Sequence, residues 1–243
     1  MPDAVLFDFD GTLADTTERW HSAYEACLTA RGRRLDEAMR HLLAGASVSD
    51  AAARLSISRR EVDEALLEAF TARPVVAMPG ATELVVELAG VTRLAVASNG
   101  PEALVRIGLA QLGIAGCVDA VVSAETADVY KPLPDVFLRA AAAVGTSPEN
   151  CVAVEDSMVG GQAAVAAGTQ VIFVSADGPS PIGIALRVRR LDDPRVREWL
   201  GAPPARAQTV AVDDMSSTGH VAAAGWRADS GGASAGTPGG GRR

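Results

Sequence analysis

Five short apolar segments, near residues 4–8, 92–97, 118–123, 151–155 and 170–174, recur along this chain, and helical stretches separate most of them. Strand alternating with helix predicts a parallel sheet with right-handed crossovers and helices on both faces, an α/β fold. One interval breaks the rhythm. From Asp15 to about Met78 the chain is too long for a crossover and reads as helices throughout: Arg19 to Ala30, Leu35 to Leu43, Ala51 to Leu55 and Arg60 to Phe70. Proline and glycine in Arg73-Pro74-Val75-Val76-Ala77-Met78-Pro79-Gly80 punctuate the return to the sheet and start a helix over Ala81 to Leu88. An all-helical insertion directly after the first strand, carried on two linkers, predicts a small cap that opens and closes over the core.

The first strand-like run ends in Asp8-Phe9-Asp10-Gly11-Thr12. Side chains alternate along a strand, so Asp8 and Asp10 emerge on one side where a buried parallel strand meets its loop. Ligands of open α/β sheets bind at that carboxyl edge. Two acids this close repel each other, and a bound divalent cation reverses the sign of that interaction. The pair therefore predicts a Mg²⁺ site.

Three further segments carry polar groups at strand ends. Arg93-Leu94-Ala95-Val96-Ala97-Ser98-Asn99-Gly100-Pro101 runs into a turn ahead of a helix from about Glu102 to Leu112, where a hydroxyl and oriented N–H groups can cradle a phosphate. Tyr130-Lys131-Pro132-Leu133-Pro134-Asp135 holds the only lysine among the chain's 22 basic residues. A compact ammonium can sit between a carboxylate and a phosphoryl oxygen, where a planar guanidinium needs more room and a different geometry. Cys151-Val152-Ala153-Val154-Glu155-Asp156-Ser157 is another apolar strand ending in adjacent acids.

In order and in form, these four segments resemble the four motifs of the haloacid dehalogenase-like superfamily of phosphohydrolases, over residues 1 to about 176. The resemblance implies a Rossmann-like core, residues 1–14 and 78–200, with a helical cap over 15–77. It implies phosphoryl transfer through an aspartyl-phosphate, with Asp8 the nucleophile and Asp10 the acid that protonates the leaving alkoxide and then activates water. Ser98 and Asn99, the latter through its backbone, and Lys131 would bind the phosphoryl group. Asp8, Asp10 through its carbonyl, Asp156 and Glu155 would form the Mg²⁺ site, Glu155 as a ligand or as a partner one step removed.

The helical-cap subgroup includes phosphoglycolate phosphatase-like, sugar-phosphate phosphatase-like and β-phosphoglucomutase-like enzymes. The presence of Asp10 argues against a true dehalogenase. The loop Gly45-Ala46-Ser47-Val48-Ser49-Asp50 lacks the arginine of the mutase form Gly-Val-Ser-Arg. Core details such as Ser98-Asn99-Gly100-Pro101 and Glu155-Asp156-Ser157-Met158-Val159-Gly160-Gly161-Gln162 resemble the 6-phosphogluconate phosphatase-like group. The expected activity is hydrolysis of a small phosphorylated metabolite, with a phosphomutase and a non-catalytic binding module as the alternatives.

Composition excludes other classes. A formal charge of −8 lacks the basic face that a nucleic-acid backbone requires. No apolar run approaches membrane-spanning length, and the N-terminal residues carry no signal-peptide pattern. Cys27, Cys117 and Cys151 are odd in number and lack a metal spacing, which predicts reduced thiols in a cytoplasmic protein. Arg31, Arg33 and Arg34 form a basic cluster able to face a substrate, or to sit in solvent at a helix end. Residues 201–243, rich in Ala, Gly, Pro and Ser, read as a disordered tail.

Overall fold

The computed structural model of the protein describes residues 1–124 and 129–201. Most of the predicted tail lies outside the described residues. Six strands form one parallel sheet: β1 (Ala4–Phe7), β4 (Arg93–Ser98), β5 (Ala120–Ser123), β6 (Cys151–Glu155), β7 (Gln170–Val174) and β8 (Leu186–Val188), in the order β5-β4-β1-β6-β7-β8. All five predicted strands are there. The sixth, β8, was not expected, because Leu186–Val188 is only three residues long and includes an arginine. It is registered by pairing with Ile172–Val174 of β7.

The order explains where chemistry belongs. From β1 the chain proceeds to β4 and β5 on one side, then returns to β6, β7 and β8 on the other. The carboxyl ends of β4, β1 and β6 therefore flank the point at which the winding reverses, where open α/β sheets leave a crevice.

Alternation along the strands builds two apolar layers. Val5 and Phe7 of β1 face a layer with Leu84, Val85 and Leu88 of α5 (Ala81–Leu88) and Leu104, Val105 and Leu109 of α6 (Glu102–Gln111). Ala4 and Leu6 face the other layer, covered by α7 (Asp135–Ala143) and α8 (Met158–Ala166). That second layer is rich in alanine, with Ala95, Ala97, Ala140, Ala153, Ala163 and Ala164 all buried. Small side chains on both surfaces bring α8 close to the end of β6, which matters below. The last helix among the described residues, α9 (Pro194–Leu200), buries Val196 and Leu200.

Between β1 and α5 stands the inserted helical segment: α1 (Thr17–Thr29), α2 (Glu37–Leu43), α3 (Val48–Leu55) and α4 (Arg59–Thr71). Each begins within about three residues of its predicted start. The start signals are local. Asp36, Ser47 and Ser58 accept from the backbone N–H groups of Met39, Asp50 and Glu61, and Ser58 with Glu61 completes a capping box. Tyr24 and Leu28 of α1 and Leu66 and Phe70 of α4 are buried in one apolar cluster. Fully burying a side chain of this size contributes about 1.5–3 kcal/mol.

The two connections to the core lie side by side. β2 (Ala14–Asp15) and β3 (Val76–Ala77) pair antiparallel, Ala14 opposite Ala77 and Asp15 opposite Val76. Buried Arg19 fastens α1 to α4 and to the segment after it by donating to the carbonyls of Ala69 and Pro74 at 2.8 and 2.5 Å.

Candidate active site

Asp8 follows the last residue of β1, and its N–H is held by the Val154 carbonyl of β6 at 2.9 Å. The chain then turns through Gly11, whose φ of +88° favours glycine. A Cβ at Gly11 would also overlap the Asp156 carboxylate. Glycine thus lets the loop after β1 approach the acid at the end of β6. Thr12 uses that proximity, its hydroxyl donating to Asp156 Oδ1 at 3.1 Å.

Lys131 lies between two carboxylates. Its Nζ is 2.5 Å from Asp8 Oδ1 and 2.7 Å from Glu155 Oε1, and it stands 5.0 Å from the centre of the Phe137 ring. Burial alone would lower its pKa, but Asp8 and Glu155 more than offset that and raise it, so the group is an ammonium. Glu155 is completely buried. Its Oε2 accepts from the N–H groups of Asp156 and Ser157 at 3.0 and 2.9 Å and from the Ser157 hydroxyl at 3.0 Å. Both oxygens of Glu155 are therefore engaged by protein donors.

Asp8, Glu155 and Asp156 each bring a carboxylate oxygen within 4.8 Å of the others. Burial pushes Asp8 up, and Glu155, Asp156 and Asp10 add to that against the pull of Lys131. Asp156 is pushed up to about 7 by burial and by Glu155, with Thr12 opposing. Four carboxyl groups and one ammonium leave the cluster short of positive charge. Hard oxygen donors with an excess of negative charge fit a divalent cation of the Mg²⁺ class, and Asp8 and Asp156 keep oxygens for it.

Asp10 has a different setting. Its Oδ1 accepts from the Thr16 hydroxyl at 2.6 Å and from the Trp20 indole N–H at 2.7 Å, and its Oδ2 faces the Ser98 hydroxyl at 3.4 Å. Burial raises its pKa while these donors hold it down. Ser98 ends β4 and is wholly buried, and its oxygen accepts from the Gly100 N–H at 2.9 Å. The Asn99 side chain, for which the sequence suggested no task, ties three segments together. Its Oδ1 accepts from the Lys131 N–H at 2.9 Å and its Nδ2 donates to the Gly45 carbonyl at 3.0 Å.

The structure thus brings Asp8, Asp10, Ser98, Asn99, Lys131, Glu155 and Asp156 to one end of the sheet. Asp8, Asp10, Lys131 and Asp156 line a cavity of about 210 Å³ whose other wall belongs to the inserted segment, including Trp20, His21, Tyr24, Arg40 and Leu43. Trp20 reaches Asp10 itself, and His21 meets Arg40 at the cavity wall.

Arg40 was missed, since nothing within α2 signals which face turns toward the core. The basic cluster singled out instead is occupied elsewhere. Arg31 pairs with Glu61 at 2.8 Å, Arg33 donates to the Leu55 carbonyl at 2.6 Å, and neither they nor Arg34 line the cavity. Cys27, Cys117 and Cys151 are free thiols, Cys27 and Cys151 buried. Among the described residues no helix is long and apolar enough to cross a membrane.

Residues 2–168 match the family model described as haloacid dehalogenase-like hydrolase. The chain is 32% identical over 191 residues to hexitol phosphatase A of Escherichia coli (strain K12), an alignment covering 72% of this chain and 84% of that protein. It is 30% identical over 184 residues to fructose-1-phosphate phosphatase YqaB of the same organism, covering 70% and 95%. Among solved structures, CbbY from Rhodobacter sphaeroides in complex with phosphate superposes with a TM-score of 0.72 at 25% identity, covering 79% of this chain and 96% of that one.

Proposed function

The chain belongs to the haloacid dehalogenase-like hydrolases and is a phosphatase of phosphorylated metabolites; on that premise we propose that it hydrolyses a small sugar-phosphate or phosphoglycolate-like monoester through an aspartyl-phosphate on Asp8. The observation that carries this reading is Lys131, the chain's single lysine, held between Asp8 and Glu155 on the floor of a cavity that Asp10 also lines. An oxygen of the Asp8 carboxylate attacks phosphorus. The bond from phosphorus to the ester oxygen breaks as the new bond to Asp8 forms, and the leaving oxygen takes a proton from Asp10. In the second step a water gives its proton to Asp10 and attacks phosphorus, and the bond to Asp8 breaks to release inorganic phosphate.

Two donors set Asp10 up for these proton transfers. Thr16 and Trp20 donate to one oxygen of Asp10 and leave the other, on the Ser98 side, to exchange the proton. Ser98 and the backbone at Asn99 would donate to the phosphoryl oxygens, with Lys131 neutralising charge beside them. Asp8, Asp156 and the Asp10 carbonyl would hold Mg²⁺, which when bound supplies positive charge to the phosphoryl oxygens and to the crowded carboxylates. Glu155 would act one step removed, by holding Lys131. Residues 15–77 would be the cap and residues 1–14 with 78–200 the core, cap closure excluding bulk water during the first step.

The test is release of inorganic phosphate from a panel of phosphorylated metabolites with Mg²⁺ or with EDTA, for the natural protein and for Asp8→Asn. Release that requires the cation, and that falls by about 10³-fold or more in the variant, is the expected outcome, since removing a nucleophile removes the covalent route. Full activity of Asp8→Asn would refute the aspartyl-phosphate.

A further inference from the structure

The inserted segment is rich in arginine, and most of these side chains have an evident task. Arg19, Arg33 and Arg54 donate to backbone carbonyls; Arg31, Arg59 and Arg60 pair with Glu61, Asp63 and Glu64. Arg40 stands apart. It lies in α2, held at its start by Asp36, and one guanidinium nitrogen is 2.7 Å from His21 Nδ1 on α1. Among the described residues no carboxylate lies within ion-pair distance of it. A guanidinium can only donate, so His21 Nδ1 is the acceptor in this contact, which leaves Nε2–H as the ring's donor. The charge of Arg40 is therefore not cancelled by its partner. Glu18, 3.8 Å from the same Nδ1, is largely exposed.

Arg40 and Lys131 are the two cations among the described residues lining the cavity. Lys131 is already shared by two carboxylates at the floor. Arg40 and His21 belong to the opposite wall, and both also border a shallow depression on the outer side of α1, which places them at the rim. A cation that its neighbours leave unneutralised, at the rim of a cavity whose floor takes a phosphoryl group, is suited to a second anionic group on the same molecule.

We infer that Arg40 and His21 form a second anion subsite, which selects phosphate monoesters carrying a carboxylate or a second phosphate remote from the phosphoryl group transferred. The inference rests on the phosphatase reading above and narrows its substrate class. Arg40 supplies the charge and the planar donor pair. His21 holds the guanidinium toward the cavity and offers Nε2–H as a further donor. The remote anion lies at the rim while the scissile phosphoryl group lies against Asp8, so the two ends of the substrate are read by different elements.

The experiment uses three matched esters of similar length: a sugar-acid phosphate, a sugar bisphosphate and a polyol phosphate with a neutral far end. The natural enzyme is expected to prefer one or both anion-bearing esters to the neutral one by about tenfold or more in kcat/KM, equivalent to ~1.4 kcal/mol. Arg40→Met should reduce that preference by about 10- to 100-fold, the range for a lost charge-assisted contact, with Arg40→Lys intermediate because it keeps charge without the fork. Whichever ester loses most identifies the anion. Binding of the same esters to Asp8→Asn and to Asp8→Asn/Arg40→Met is measured by calorimetry. Arg40-dependent binding of an anion-bearing ester without turnover by the natural enzyme would keep the subsite and overturn the phosphatase. Equal effects of Arg40→Met on all three esters, or a natural preference for the neutral one, would overturn the subsite and leave the phosphatase standing.

Discussion

Glu155 and Asp156 are neighbours in sequence and carry the same functional group, but they sit in different surroundings. Glu155 is enclosed, with Lys131 on one oxygen and three donors on the other, whereas Asp156 receives a single side-chain donor, Thr12, and faces the cavity. Asp156→Asn should therefore raise the half-saturating Mg²⁺ concentration by more than the 10- to 100-fold, roughly, that is typical of outer partners of a metal site, while Glu155→Gln should act mainly on kcat through a misplaced Lys131. Titrating each variant with Mg²⁺ at saturating substrate separates the two. A larger Mg²⁺ effect in Glu155→Gln would reverse the assignment. The motif itself was legible in sequence because acids at a strand end are rare and costly without a purpose. The difference in surroundings was not, because it depends on which oxygen meets which N–H.

Among the elements, α8 shows how a helix start can be shaped by a site. Ser157 caps it by accepting from the Gly160 N–H at 3.0 Å, and a Cβ at Gly160 would overlap the Glu155 carboxylate. Alanine is the better helix former by about 1 kcal/mol, so helix propensity alone favours Gly160→Ala. Overlap with a buried carboxylate works the other way. Gly160→Ala should lower both the melting temperature and kcat, the latter by tenfold or so as Glu155 shifts Lys131, a loss of ~1.4 kcal/mol. Thermal unfolding together with steady-state kinetics checks this, and a more stable, fully active variant would show that the helix can move aside. The inserted helices were legible from their caps and apolar spacing, within a few residues at each start. β8 was not, since three residues give too little periodicity and its place is set by pairing with β7.

At the scale of the whole molecule, the raised acids at the site couple folding to pH. Asp156 titrates near 7 in the fold because of burial and Glu155, and near 4 when unfolded. A group whose folded pKa is raised binds more protons when folded, so folding stability falls as pH rises between those values. Asp8 and Asp10 are shifted in the same direction. Lys131 is raised too, but its effect belongs to the alkaline range. In EDTA, the protein should melt at a higher temperature at pH 5.5 than at pH 7.5. Mg²⁺ should raise the melting temperature most at pH 7.5, where the carboxylates are ionised, by mass action on the folded state. Asp156→Asn should flatten the slope in EDTA. Melting that rises from pH 5.5 to 7.5 in EDTA would contradict the raised acids.

The sequence determined the parallel α/β core, the helical insertion and the polar residues gathered at the cavity floor, because these depend on local quantities: apolar runs of strand length, capping residues, and acids and one lysine placed at strand ends. Tertiary structure alone decided the cavity's opposite wall. Trp20, His21 and Arg40 reach the site only through the packing of α1 and α2 above the sheet, and nothing in their own neighbourhoods in the chain distinguishes them from the solvated arginines and packing aromatics nearby. A strand end fixes the direction of its side chains within two residues. A helix fixes only a periodicity, and the rotation that turns one of its faces to the substrate comes from the helices beside it.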